Sequence, residues 1–182
     1  MTIIQNKIEI RKQIKQLQML ISETDKNRLS DLVFVMLKGL NEWKYAKNIL
    51  FYHSLPDELP TIRHIDSIHD KNLFFPKIVA DEIEILPYSK ENLTKGAYNI
   101  YEPDNGNAVS PQDMDLIIVP GVAFDNHLNR LGRGKGYYDR LLKKCNAVKI
   151  GVCYDFQLLE TIPCEPHDIK MDIVITPYKI IK

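Results

Sequence analysis

The chain has 182 residues, 45% of them hydrophobic, which suits one domain with a buried core rather than two. Lysine plus arginine number 24 and aspartate plus glutamate number 24, so no global charge draws the protein to nucleic acid or a membrane, and any basic site must be local. Cys145, Cys153 and Cys164 are odd in number and form no CxxC pair, which speaks against a disulfide framework or a zinc site and for reduced, buried thiols.

The first segment, "MTIIQNKIEIRKQIKQLQML", interleaves charges with apolar residues and lacks the apolar run of a signal peptide or membrane span, so a cytoplasmic protein is expected. Within it Ile10, Ile14, Leu17 and Ile21 recur at spacings of four and three, marking one face of an amphipathic helix, while Lys7, Arg11 and Lys15 form another stripe. A second helix starts at a Ser22 cap, with Asp25 three positions on, and runs through "RLSDLVFVMLKGL" to end near Gly39. From there the pattern turns α/β. "NILFYHSL", "NLFFPKI" and "EIEILPY" read as strands and "TIRHIDSIHD" as a short helix. Residues 89–114 carry little periodicity and several turn formers, and read as a long surface excursion. "DLIIVPGVAF" is a continuous apolar run, as expected of a strand covered on both faces. A helix through "YYDRLLKKC", a strand "VKIGVCYD", a turn region and a last strand "DIVITP" follow. The alternation predicts an α/β fold, a three-layer α/β/α sandwich on a mostly parallel sheet.

Between the apolar strand and its helix lies "RLGRGKGYYDR", positions 130–140. In parallel α/β sheets ligands collect beyond the carboxyl ends of strands, where this loop falls. Gly132, Gly134 and Gly136 permit unusual backbone conformations and leave amides open to an anion, and the following helix offers free N–H groups at its start. Arg130, Arg133 and Lys135 add mobile positive charge, Asp139 a carboxylate able to hold magnesium, and Tyr137 and Tyr138 rings able to stack on a flat partner. The spacing matches neither GxxxxGK[ST] nor GxGxxG, so a phosphate-binding loop competes here with a basic loop that holds no ligand.

Other candidates have equally plain structural readings. Asp57 and Glu58 follow a strand end and precede Thr61, which suits a solvated, helix-starting turn. His53 on a strand reads as a structural histidine, and Lys7 with Arg11 as an exposed helix face. His127 and His167 lie in polar loops, and nothing in the sequence gives either a ligand role.

"VPGVAFDNHLNRLGRGKGYYDRLL", with Glu102-Pro103 before it and "PCEPHDIKMDIVIT" after it, resembles the 5-formyltetrahydrofolate cyclo-ligases, also called methenyltetrahydrofolate synthetases. The likeness takes in Lys7, Arg11, Glu58, Thr61, Pro76-Lys77 and Gly96; Leu128 departs from it, standing where the family usually has glycine. It implies a fold similar to the sugar-phosphate isomerase and CoA-transferase group. It also implies ATP- and magnesium-dependent conversion of 5-formyltetrahydrofolate to 5,10-methenyltetrahydrofolate. A monomer acting on small molecules is expected, and the neutral charge speaks against nucleic acid or membrane as a partner. By the same resemblance Lys7, Arg11, Arg130 and the segment Gly132, Arg133, Gly134, Lys135, Gly136, Tyr137, Tyr138 and Asp139 would hold ATP, with Lys135 and Arg133 nearest the moving phosphoryl group. Glu58, His53 and Tyr137 would face the folate, Asp139 would bind magnesium, and Asp172 would be a weaker magnesium candidate or a loop cap.

Overall fold

The computed structural model describes residues 2–96, 101–104, 106–166 and 168–182. Helix α1 (Ile3–Gln18) starts from a Thr2 capping box, in which the Thr2 hydroxyl accepts from the Gln5 amide at 3.2 Å and the Gln5 side chain accepts from the Thr2 amide at 2.8 Å. Its buried face overlaps the predicted stripe, with Ile10 and Ile14 packed against the protein, but departs from it at Leu17. Ile14 and Gln18 are buried and Leu17 is 42% exposed, so the docking face runs through Lys7, Arg11, Ile14 and Gln18. Because that face must cover both an apolar cluster around Ala123, Leu131 and Ile162 and a polar pocket, its residues are mixed and apolar periodicity finds only part of it.

Helix α2 (Glu23–Gly39) begins at Ser22, whose hydroxyl accepts from the Asp25 amide at 3.1 Å, as predicted. A short α3 (Asn41–Tyr45), invisible to periodicity, buries Trp43. After it come β1 (Asn48–Leu50), α4 (Ile62–Ile65), β2 (Asn72–Val79), β3 (Glu82–Pro87), β4 (Leu93–Lys95), β5 (Tyr101–Pro103), β6 (Leu116–Val119), β7 (Ala123–Asp125) and β8 (Arg130–Leu131). The chain ends with α5 (Tyr137–Leu142), β9 (Val148–Val152), β10 (Leu158–Leu159), β11 (Ile173–Ile175) and β12 (Ile180–Ile181).

The central sheet has seven strands in the order β12-β11-β9-β6-β1-β2-β3. Pairings from β11 to β2 are parallel, and β12 and β3 close the two edges antiparallel. Alternation along β6 shows why the sheet needs cover on both sides. Leu116 and Ile118 pack with Val33, Phe34, Leu37 and Trp43 from the α2 and α3 layer, while Ile117 and Val119 pack with Leu141 and Leu142 of α5. The mostly parallel three-layer sandwich is as expected. Among the described residues no helix is long and apolar enough to cross a membrane. All three cysteines are free thiols.

Several element limits differ from the sequence reading. "DLIIVPGVAF" is two strands. Pro120, which has no N–H to donate, ends β6, and the chain turns to place β7 in a separate three-stranded sheet, β10-β7-β8. Residues 89–114 are not bare loop: β4 and β5 pair antiparallel there, and Val109 bridges to Ile85. The helix after the glycine motif stops at Leu142, the strands at "NILFYHSL", "VKIGVCYD" and "DIVITP" are shorter than their apolar runs, and a further strand, β12, follows β11.

The β7–β8 turn accommodates Leu128 at φ 67°, the left-handed region that a glycine would enter more cheaply. Asp125, fully buried, supplies the compensation. Its Oδ1 accepts from the amides of His127 and Asn129, and its Oδ2 from the Asn129 side chain and the Ile162 amide, each at 2.9 Å. Asp125→Ala leaves these buried donors without an acceptor and is expected to destabilise the fold by about 3 kcal/mol or more, read as a lowered denaturant midpoint. A loss below about 1 kcal/mol would mean that the turn does not depend on this carboxylate.

Candidate active site

The carboxyl end of β6 delivers Pro120 and Gly121, and the β7–β8 hairpin then returns the chain as Arg130 at the start of the glycine loop. The segment after β1 carries His53 and Glu58 to the same side of the sheet, and α1 lays Lys7 and Arg11 across it. Together they bound a pocket of about 660 Å³. Every nucleotide and folate candidate named from the sequence lines it; Asp172 does not.

Gly134 at φ 94° and Gly136 at φ 71° occupy left-handed conformations that side chains resist, so the loop's path requires these glycines. Helix α5 is only six residues long and no side chain caps it, so its dipole adds little. An anion arriving here would meet loop amides and cations.

Those cations are held in place by partners. Arg130, its side chain 5% exposed, donates to Asp139 Oδ1 at 2.8 Å and to the Pro120 carbonyl at 3.2 Å. Arg133 donates to Asp57 at 2.6 Å and, through Nε and a terminal nitrogen, to Glu58 Oε1 at 3.2 and 3.1 Å. Lys7 Nζ sits 3.0 Å from Glu165 and 2.8 Å from Asp168, and Arg11 Nε donates to the Gly132 carbonyl at 2.9 Å. Lys135 is exposed on the pocket rim, and among the described residues its ammonium has no partner. The arrangement is preorganised: an arriving polyphosphate can exchange with carboxylates already bonded to the arginines and Lys7.

Burial pushes the Glu58 carboxyl above the usual carboxylate range, with the Leu55 amide and Arg133 offsetting part of the rise. Among the described residues the buried Tyr138 hydroxyl has no partner, and burial pushes its pKa up, so it remains a neutral donor. Arg130 stacks over the Tyr138 ring at 5.8 Å, which makes that ring part of the wall rather than a free stacking platform. Tyr137 lies under Arg140 at 5.2 Å. His53 is partly buried, its pKa lowered by that burial, and it tilts against Tyr101 at 5.2 Å between ring centroids.

Asp172 is a loop cap instead of a pocket ligand. Its carboxylate accepts from the Lys149 amide at 2.7 Å and pairs with Lys149 Nζ at 2.8 Å, at the amino end of β11 and so at the opposite edge of the sheet from the pocket. Asp168, Glu165 and Glu102 line the pocket instead, though the sequence reading gave none of them a role. Their segments were visible in the resemblance, but spacing carried no signal that they fold over the glycine loop. His127 is exposed, and His167 lies outside the described residues. Among the described residues no group of three or more His, Cys, Asp or Glu side chains is placed to hold a metal ion alone.

A family model described as the 5-formyltetrahydrofolate cyclo-ligase family matches residues 3–177. The NMR structure of Aquifex aeolicus 5,10-methenyltetrahydrofolate synthetase superposes with a TM-score of 0.89 at 39% identity, covering 96% of this chain and 91% of that one. A 5,10-methenyltetrahydrofolate synthetase structure from Mycoplasma pneumoniae gives a TM-score of 0.77 at 27% identity, with 94% and 99% covered. Over 191 residues the chain is 32% identical to the 5-formyltetrahydrofolate cyclo-ligase of Mus musculus, covering 91% of each. With the family model spanning nearly the whole chain and this relative aligned along most of it, the chain belongs to the 5-formyltetrahydrofolate cyclo-ligase family.

Proposed function

We propose that this pocket converts 5-formyltetrahydrofolate to 5,10-methenyltetrahydrofolate, with ATP going to ADP and phosphate. The observation that carries the reading is a convergence: Lys7, Arg11, Arg130, Arg133 and Lys135 meet the glycine loop in one pocket whose walls, among the described residues, hold no serine, threonine or cysteine. Such a site neutralises and positions phosphates and has none of the usual hydroxyl or thiol nucleophiles to take up a phosphoryl group.

The formyl oxygen attacks the γ-phosphorus, the bond to the β,γ-bridging oxygen breaks, and ADP leaves with its electron pair. N10 then attacks the activated carbon, and phosphate departs with the carbon–oxygen pair and accepts the N10 proton. Lys135 and Arg133 hold the moving phosphoryl group, Arg130 and Arg11 the rest of the triphosphate beside the loop amides, and Lys7 a terminal oxygen after exchange from Glu165 and Asp168. Glu58, anchored by Arg133, meets the formyl-bearing edge of the pterin, with His53 and Tyr137 against the ring. Magnesium would supply neutralisation of the phosphate charge, and it commonly takes only one or two protein carboxylates besides the nucleotide. Asp139 and Asp168 fit that need, because both line the pocket beside the cations.

Incubation with 5-formyltetrahydrofolate, ATP and magnesium should produce the near-ultraviolet absorbance of the methenyl product, and omission of ATP should abolish it. Nucleotide turnover that ignores the folate would instead favour a kinase acting on another acceptor.

A further inference from the structure

Glu102, on β5, is buried to 4% exposure and lines the pocket, yet it has almost nothing to bond. Its Oε1 accepts one long hydrogen bond, 3.4 Å from the Ile78 amide, and among the described residues Oε2 has no partner. The nearby Lys77 ammonium is turned to the Asp104 carbonyl at 3.1 Å and forms no ion pair with it. Glu58, the pocket's other strongly buried carboxyl, is committed on both oxygens, to Arg133 and to the Leu55 amide. A buried carboxyl so poorly compensated is costly unless donors reach it, and burial accordingly pushes its pKa up.

Glu102 shares the pocket lining with the apolar residues Pro76 and Ile78 of β2 and Ile83 of β3. Gly96 keeps room for it: a Cβ there would lie 2.1 Å from Oε2. Among the described residues no further donor reaches Glu102, and its place in the pocket wall opens it to donors from a ligand. Phosphates, the formyl oxygen and the substrate's tail carboxylates are acceptors and do not qualify, and adenine offers a single amino group; the ribose diol of ATP also carries two donors, and the KM comparison below separates it from the pterin. The pyrimidine edge of the pterin offers two adjacent donors, N3–H and the 2-amino group, which match the two oxygens of a carboxylate.

Resting on the reaction proposed above, we infer that Glu102 is the specificity-determining residue for the pterin, accepting from N3–H and the 2-amino group. This orients the ring so that its N5 formyl group faces Glu58, Arg133 and the phosphates.

The test is a cycle between protein and substrate. Glu102→Gln, which puts a donor where the second acceptor was, should raise the KM for 5-formyltetrahydrofolate by about tenfold or more and leave the KM for ATP within about twofold. The 2-desamino analogue should lose at least about tenfold in kcat/KM on the wild-type enzyme and at most about threefold on the variant. Gly96→Ala, which drives the carboxyl aside without removing it, should reproduce the folate-selective loss. A wild-type enzyme indifferent to the 2-amino group overturns the assignment without recourse to any variant, as does a Glu102→Gln change that falls on ATP instead of folate. Failure of the wild-type enzyme to make the methenyl product at all is a different outcome and removes the underlying reaction.

Discussion

Lys135→Ala is expected to lower kcat by about two orders of magnitude, on the order of 3 kcal/mol, while the unfolding midpoint stays at its wild-type value. Both halves follow from the position of this side chain. It stands exposed at the crest of the glycine loop between two left-handed glycines, and within the described residues its ammonium bonds to nothing, so the folded state loses little when it is removed. The other pocket cations already spend part of their hydrogen-bonding capacity on carboxylates or carbonyls, which leaves Lys135 as the charge free to follow the phosphoryl group as its bond to ADP lengthens. Pre-steady-state measurement of the chemical step settles the matter. A kcat within about threefold of wild type would remove Lys135 from the catalytic set.

Glu58→Gln should change activity and stability in opposite directions. Turnover should fall by about thirtyfold or more in kcat/KM for the folate, roughly 2 kcal/mol, because a charged acceptor near the formyl-bearing edge and the anchor of Arg133 are both weakened. The KM for ATP should move less. Stability responds differently because burial raises the Glu58 pKa. For an acid whose folded-state pKa lies above its unfolded value, the contribution to stability is complete below the unfolded pKa and is lost as the pH rises through the folded one. Glutamine carries no such loss and can still accept from the Leu55 amide. Thermal unfolding at pH 8 should therefore give a higher midpoint for the variant than for the wild type, with the gap closing toward pH 4. A variant less stable at both pH values would make Glu58 a structural residue whose loss of activity reports misfolding.

The glycine motif was the most legible part of the site because its message is local. Strand, turn and helix are contiguous, and Gly134 and Gly136 take up the left-handed conformations that glycine makes accessible. The Ser22 cap and the continuous apolar run of β6, covered on both faces, were equally direct. The α1 face was only partly found because apolar spacing finds the side of a helix that wants oil, whereas α1 docks half against an apolar cluster and half against charges. The pairing of β4 with β5 escaped notice because two three-residue strands are too short to set up a period.

Asp168 and Asp172 mark the boundary between the two kinds of information. They are the same residue type, four positions apart in one polar segment. By itself the sequence determined the layered α/β class, the glycine-rich loop with its cluster of cations and the family resemblance, since each is written in local periodicity or in contiguous residues. Only the tertiary structure decided that Asp168 meets Lys7, 161 positions away, while Asp172 closes onto Lys149 at the amino end of β11. It likewise decided that Arg133 reaches across 75 positions to Glu58, and that Glu102 is buried in the pocket wall without a cation. The reason is physical: periodicity records which side of an element avoids water, whereas strand order and direction set which loops converge at one edge of the sheet, and those depend on all the packed faces at once.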